Sequence, residues 1–315
     1  MTNGTDLAPV AGVGADANFS LDGERLYFAD SAHVGVIDLG TGRTASVPCT
    51  DCSGIAVADG RVVSVDPGFN LHVFDLALGS QRVLRVDHVP DPHPEEPYPQ
   101  EPVTPTVMGA LAGRIAMKYP LTTGIVRGGP NVVSLYRLDG SMQQSWAVDG
   151  RIDSWQVDAT GSRLVLRAGG SGGACASISS PFVIDPTARQ PIVLLPSSET
   201  ADQNVTYISS DVWWNGPEVV TFGDFEHWQP ECKLDPVFRR FNLHGQLEAT
   251  PTDNVIAYRF LGAGCDRALV EHSTDHNSTL EDFDGSTRHV LLGYDTILWT
   301  AERATACSKF PGIGR

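Results

Sequence analysis

The chain has 315 residues, 38 of them acidic against 22 basic, and its formal net charge of −16 repels both the nucleic-acid backbone and an anionic membrane surface. Its apolar fraction of 41 %, supplemented by 32 glycines, is enough for a sizeable core. No apolar run is long enough to cross a membrane as a helix, and 21 scattered prolines with no long amphipathic period exclude a helical fold.

Gly12-Val13-Gly14-Ala15-Asp16-Ala17 has the spacing of a dinucleotide fingerprint, but the next segment reads as a strand and not as the helix that would meet a pyrophosphate. That strand opens Phe19-Ser20-Leu21-Asp22-Gly23-Glu24-Arg25-Leu26-Tyr27-Phe28, two alternating apolar runs joined by a tight turn. Degenerate copies place Gly60, Gly113, Gly161, Gly216 and Gly264 in the same role, at spacings of 37 to 55 residues. Asp-Gly and Asn-Gly suit such hairpins because their residues tolerate the positive φ that primed turns require. A second marker closes a third strand in a polar turn: Ile37-Asp38-Leu39, Phe74-Asp75-Leu76, Leu138-Asp139-Gly140, Ile184-Asp185-Pro186, Phe241-Asn242-Leu243 and Phe283-Asp284-Gly285. A fourth strand comes next, as at Arg43–Val47, Arg82–Val86 and Arg288–Leu292. Four strands per repeat of 40 to 50 residues are expected to be propeller blades.

Phe19–Phe28 and Trp155-Gln156-Val157-Asp158-Ala159-Thr160-Gly161-Ser162-Arg163-Leu164-Val165-Leu166 resemble the Ser-Pro-Asp-Gly repeats of TolB-type and other WD40-like propellers, with Leu21 where proline is usual. The resemblance implies an all-β propeller over residues 1–315 as one domain, and a role in scaffolding or ligand binding with a minority of enzymes. Thr296–Thr300 reads as the inner strand of a further blade and Ala8–Val13 as its outer strand. Seven four-stranded antiparallel blades, the last closed by both termini, are therefore expected in preference to six; the closure would leave no free sheet edge.

In a four-stranded meander the first-to-second and third-to-fourth turns share one end, and the remaining connections share the other. Pro120–Pro130, Gly169–Ser180 and Asp224–Pro236 are expected as second-to-third loops, and Ser197–Val205 and a Pro-rich insertion at residues 87–105 as blade connections. All map to one face, which is where binding residues are expected. On it, His88, Asp91 and His93 of the Pro-rich segment and Asp224, Glu226, His227 and Trp228 are the candidate binding residues. Proline-rich chain seldom folds back to converge on one ion, so no metal or other cofactor is expected there; calcium or another divalent metal is the alternative. Trp213-Trp214 reads either as one core and one inter-blade side chain or as an indole platform for a sugar or cation.

Six cysteines are candidate disulfide partners, in three topological pairs: Cys175 with Cys232, Cys265 with Cys307, and Cys49 with Cys52. The last, Cys49-Thr50-Asp51-Cys52, also fits free thiols, half a metal site or a redox pair. Disulfides favour an extracellular or periplasmic location, which supposes a removed leader because the first 24 residues carry no export signal; the cytoplasm is the alternative. The function expected is a non-catalytic, monomeric binding protein recognising a protein, peptide or glycan. The alternative is a propeller hydrolase or lyase acting on a sugar or lactone with carboxylates and histidine at the central channel.

Overall fold

The computed structural model describes residues 18–90, 104–121, 130–171, 177–195, 205–227, 233–251, 257–264, 267–273, 278–283 and 288–294. Every regular element among them is a strand. The fold divides into two compact units, one of Asn3–Arg151 with Gly161–Arg163 and the other of Met1–Thr2, Ile152–Thr160 and Leu164–Arg315, termed the N-terminal and C-terminal units below.

The N-terminal unit begins with β1 (Asn18–Asp22), β2 (Arg25–Ala29), β3 (His33–Asp38) and β4 (Thr44–Pro48), an antiparallel sheet in chain order. β5 (Ser53–Ala58), β6 (Arg61–Val65), β7 (Asn70–Asp75) and β8 (Gln81–Arg85) repeat the pattern, as do β9 (Thr106–Leu111), β10 (Arg114–Pro120), β11 (Asn131–Tyr136) and β12 (Met142–Val148). The glycine turns fall where the sequence places them. Asp22 pairs with Arg25, Ala58 with Arg61 and Leu111 with Arg114, each across a two-residue connection. Both residues of the second and third turns have positive φ, Asp59 at 46° with Gly60 at 68° and Ala112 at 50° with Gly113 at 70°, which is the type I′ geometry that matches strand twist.

Strand alternation sorts the apolar side chains into two layers. Val62 and Phe74 meet Tyr27, Ala29 and Val34 of the first meander, whereas Val63, Val65, Leu71 and Val73 meet Val107, Ile115, Met117 and Val132 of the third. Each fully buried Val, Leu or Phe of this kind contributes roughly 1.5–3 kcal/mol. Tyr27 donates its hydroxyl to the Leu76 carbonyl (3.1 Å), and Arg82 donates to that of Leu138 (2.7 Å), so polar ties cross both layers.

The second and third meanders also join as one eight-stranded sheet through a parallel bridge between Gly54 of β5 and Val107 of β9. Gly54 has φ +70°, and a Cβ there would overlap the Val107 backbone, so only glycine fits. Ser64 Oγ donates to the Gly54 carbonyl (2.6 Å), and the Ser53 and Thr106 hydroxyls meet at 3.0 Å beside it.

The C-terminal unit holds β13 (Arg151–Val157), β14 (Leu164–Ser171), β15 (Ser177–Ile184) and β16 (Ile192–Val193). Next along the chain are β17 (Val205–Asn215), β18 (Glu218–His227), β19 (Lys233–Asn242) and β20 (Gly245–Pro251), then β21 (Ala257–Gly264), β22 (Arg267–Ser273), β23 (Ser278–Phe283) and β24 (Arg288–Tyr294). Each set is a four-stranded sheet in chain order. Val165, Val183 and Leu194 pack against Val212, Trp214, Val219 and Phe241.

Two expected loops are largely strand. Gly169–Ser171 pair with Ser177–Ser179 as the tip of the β14–β15 ribbon, and Asp224 pairs with Pro236 within the longer β18–β19 ribbon. Glycine, serine and an internal proline weaken the local strand signal, but the ladder continues from the core segments of the same strands. The five described sheets contain the six meanders expected from the repeats; Ala8–Val13 and Thr296–Thr300, expected to complete a seventh, lie outside the described residues.

Candidate functional site

The two ends of the N-terminal unit are built differently. At the hairpin end, one side chain closes each third-to-fourth turn. Asp38 Oδ1 accepts from the Thr41 N–H and hydroxyl (both 2.8 Å), and Asp139 Oδ1 accepts from the Ser141 N–H (2.9 Å) and hydroxyl (2.6 Å). Asp75 accepts from the Ala77 and Gly79 N–H groups (3.0 and 2.9 Å) and the Ser80 hydroxyl (2.6 Å). The hydroxyl bonds, seconded by the backbone bonds, hold all three carboxyls below the ordinary carboxylate range. In the C-terminal unit Asp185 and Asn242 close the equivalent turns, accepting from the Thr187 and His244 N–H groups (2.9 and 2.8 Å).

At the opposite end, contacts link residues far apart in sequence. Phe69, with φ 58° in the β6–β7 turn, is buried and stacks on the exposed His88 ring at 4.2 Å between centroids, with Tyr119 edge-on at 5.2 Å. The Tyr119 hydroxyl accepts from the Val89 N–H (2.9 Å) and meets Ser134 Oγ (3.1 Å), while Tyr136 donates to the Asp87 carbonyl (2.7 Å). Burial, reinforced by Tyr119, pushes the Tyr136 phenol far up, so it stays a donor. The start of the Pro-rich segment is thereby pinned to a buried aromatic floor with the His88 imidazole lying on it. A planar, partly polar platform of this kind offers stacking and hydrogen bonding together.

Beside this floor lies a cluster that the sequence does not announce. Asp66 accepts from the Gly68 N–H (2.8 Å), the Asn70 amide (3.0 Å to either oxygen) and His72 Nε2 (3.0 Å). Burial pushes the Asp66 carboxyl up, but the hydrogen bonds from His72 and Asn70 outweigh it and the net shift is down. His72 shares its face of β7 with Phe74, the two rings stacking at 6.4 Å, and so it points toward the first meander. There it meets Cys49 and Cys52, both buried and joined as a disulfide. The only sequence signal is Asp66-x-x-x-Asn70-x-His72, which carries no recognised spacing.

Of the expected binding residues, His88 is at the aromatic floor. Asp91, His93 and Trp228 lie outside the described residues. Asp224, Glu226 and His227 belong to β18 and not to a loop, opposite Pro236, Leu234 and Lys233 of β19. Among the cysteines, Cys49 and Cys52 are bridged, and Cys175, Cys232, Cys265 and Cys307 lie outside the described residues. The indole-platform reading of Trp213 and Trp214 is overturned: both are buried, and Trp214 joins the core and donates its indole N–H to the Gln156 carbonyl (3.1 Å).

No family model and no curated protein matches the chain. Solved structures do. A prolyl endopeptidase aligns over 88 % of this chain at 14 % identity with a TM-score of 0.54. The polysaccharide lyase Uly1 aligns over 90 % of this chain and 82 % of its own at 12 % identity, TM-score 0.53. YCF48, solved with a bound peptide, aligns over 87 % of this chain and 81 % of its own at 9 % identity, TM-score 0.51. The fold is β-propeller-like. The chain spans 41 % of the length of the prolyl endopeptidase it matches. Propellers similar to this chain include enzymes and binders alike, so the likeness fixes architecture and leaves chemistry to the site.

Proposed function

We propose that the chain is a single-domain propeller whose end carrying the second-to-third and blade-to-blade connections binds a protein, peptide or glycan without transforming it. The observation that carries this reading is the His88–Phe69–Tyr119 stack: an exposed imidazole held flat on a buried aromatic floor, at the mouth of the longest insertion. YCF48, similar in fold, was solved with a bound peptide, which supports a peptide as ligand. The reading extends to a monomer with seven blades, and to an oxidising compartment, the last supported by the Cys49–Cys52 bridge.

A second reading is a hydrolase or lyase acting on a sugar or lactone, favoured by the likeness to a polysaccharide lyase. Arrays of peptides and glycans, probed with the full chain, separate the two. Binding that is lost in His88→Ala and kept in Asp75→Ala, at the opposite end, supports the binding module. Equal loss in both variants sinks it, and turnover of a polysaccharide or lactone by the wild type replaces it with the enzyme.

A further inference from the structure

A C-x-x-C pair supplies only two ligands, and the fold brings a third to it from 20 residues beyond Cys52. Cys49 Sγ, Cys52 Sγ and a ring nitrogen of His72 lie within 4.8 Å of one another. The backbone shapes this clasp independently of the sulfur–sulfur bond. The Cys49 N–H donates to the Ala32 carbonyl (2.9 Å), the Asp51 N–H donates to that of Ser31 (2.8 Å), and Asp51 and Gly54 turn the chain with φ of 54° and 70°.

His72 is held at both nitrogens. Nε2 donates to Asp66 (3.0 Å), and Nδ1 accepts from the amide of the exposed Gln81 (2.8 Å). Both ring nitrogens are thus engaged, so the imidazole can ligate a metal only when Gln81 or Asp66 releases one of them; with Asp66 retained, a carboxylate orients the ring from the other side, the outer-shell arrangement seen around ligating histidines. Tyr27, Ile55, Val62 and Phe74 enclose the sulfurs in apolar surface.

We propose that Cys49, Cys52 and His72 form a binding site for a thiophilic divalent metal, Zn²⁺ above all, and that the Cys49–Cys52 disulfide is the closed state of that site. Two thiolates and an imidazole match zinc in ligand softness, and three protein ligands leave one tetrahedral position for water or a group of a bound partner. Opening takes two electrons and two protons from a dithiol: the sulfur–sulfur bond breaks, Cys49 and Cys52 become thiols, and the dithiol becomes a disulfide. Metal binding then forms two metal–sulfur bonds and releases the two thiol protons, while Gln81 or Asp66 yields one imidazole nitrogen and its counterpart keeps the ring in place. A reducing compartment selects the metal form and an oxidising one the bridge, so the redox state of the surroundings decides which of the two the site adopts.

The full chain is reduced with a phosphine, freed of it without oxygen, and titrated with Co²⁺ and then Zn²⁺. The reduced protein is expected to take up one Co²⁺ with thiolate charge-transfer absorption and tetrahedral d–d bands, to lose both on adding Zn²⁺, and to release two protons per metal. The untreated protein is expected to show no such absorption. X-ray absorption of the zinc form should show sulfur at about 2.3 Å and nitrogen or oxygen at about 2.0 Å. Cys52→Ser should abolish the charge-transfer band, and Asp66→Asn, which keeps both sulfurs, should weaken Zn²⁺ affinity by roughly 10–100-fold. Cobalt spectra that persist unchanged in Cys52→Ser, or undiminished affinity in His72→Gln, would assign the metal to other cysteines and overturn the proposal, as would a reduced wild type that takes up no metal.

Discussion

The hairpin end of the N-terminal unit and its opposite end solve the same problem, terminating strands, by different means. Asp38, Asp75 and Asp139 each satisfy groups within five residues of themselves. Tyr119, Tyr136 and Cys49 reach across 30, 49 and 17 residues to the Val89 N–H, the Asp87 carbonyl and the Ala32 carbonyl. Local closure makes a turn that any blade can repeat, whereas long-range closure makes each connection depend on its neighbours. The second arrangement is the one that can place unlike side chains side by side, which is what binding requires.

The largest effect is expected where two meanders meet. Gly54→Ala forces a Cβ into the Val107 backbone at a residue with φ +70°, and a loss of about 3 kcal/mol or more is expected in denaturant unfolding. A midpoint unchanged from wild type would mean that the parallel bridge is dispensable. Next comes Tyr119→Phe, which leaves the Val89 N–H and Ser134 hydroxyl without their shared partner. It should cost about 1–3 kcal/mol and accelerate amide exchange at Val89, while the turn at Asp75 stays protected.

Asp75→Asn tests the hairpin end through pH. The folded carboxyl lies below its ordinary value, so its contribution is present in full at neutral pH and is lost as pH falls through the ordinary carboxylate range to the lowered value. The variant should have a thermal midpoint less sensitive to pH in that acidic window than wild type; identical profiles would remove Asp75 from the account. The smallest effect is a gain. Ala112 has φ 50° in a type I′ turn, so Ala112→Asn, which makes the turn Asn-Gly, should add about 0.5–1 kcal/mol in the same unfolding assay.

Legibility in the sequence divides along the same line. Gly23, Gly60, Gly113 and Gly216 and the aspartates of the third-strand turns announce themselves because the residue that needs the conformation is the residue that adopts it. The aromatic floor does not, since Phe69, His88 and Tyr119 are brought together by sheet order and by nothing in their spacing. Cys49-x-x-Cys52 is visible as a pair, but His72 joins it only because strand parity turns the ring toward the preceding meander. The β18–β19 ribbon reads as a loop for the converse reason: Pro236 weakens the local pattern, while the ladder is enforced from Val219–Thr221 and Arg239–Phe241.

Through the Gly54–Val107 bridge, a sheet that runs unbroken from β12 to β8 ties eight strands into a single ladder. The second and third meanders should therefore open together, as one cooperative foldon, whereas β1–β4 has its own ladder and can exchange its amides separately. In a protein assembled from look-alike repeats, one glycine thus decides which repeats share a fate.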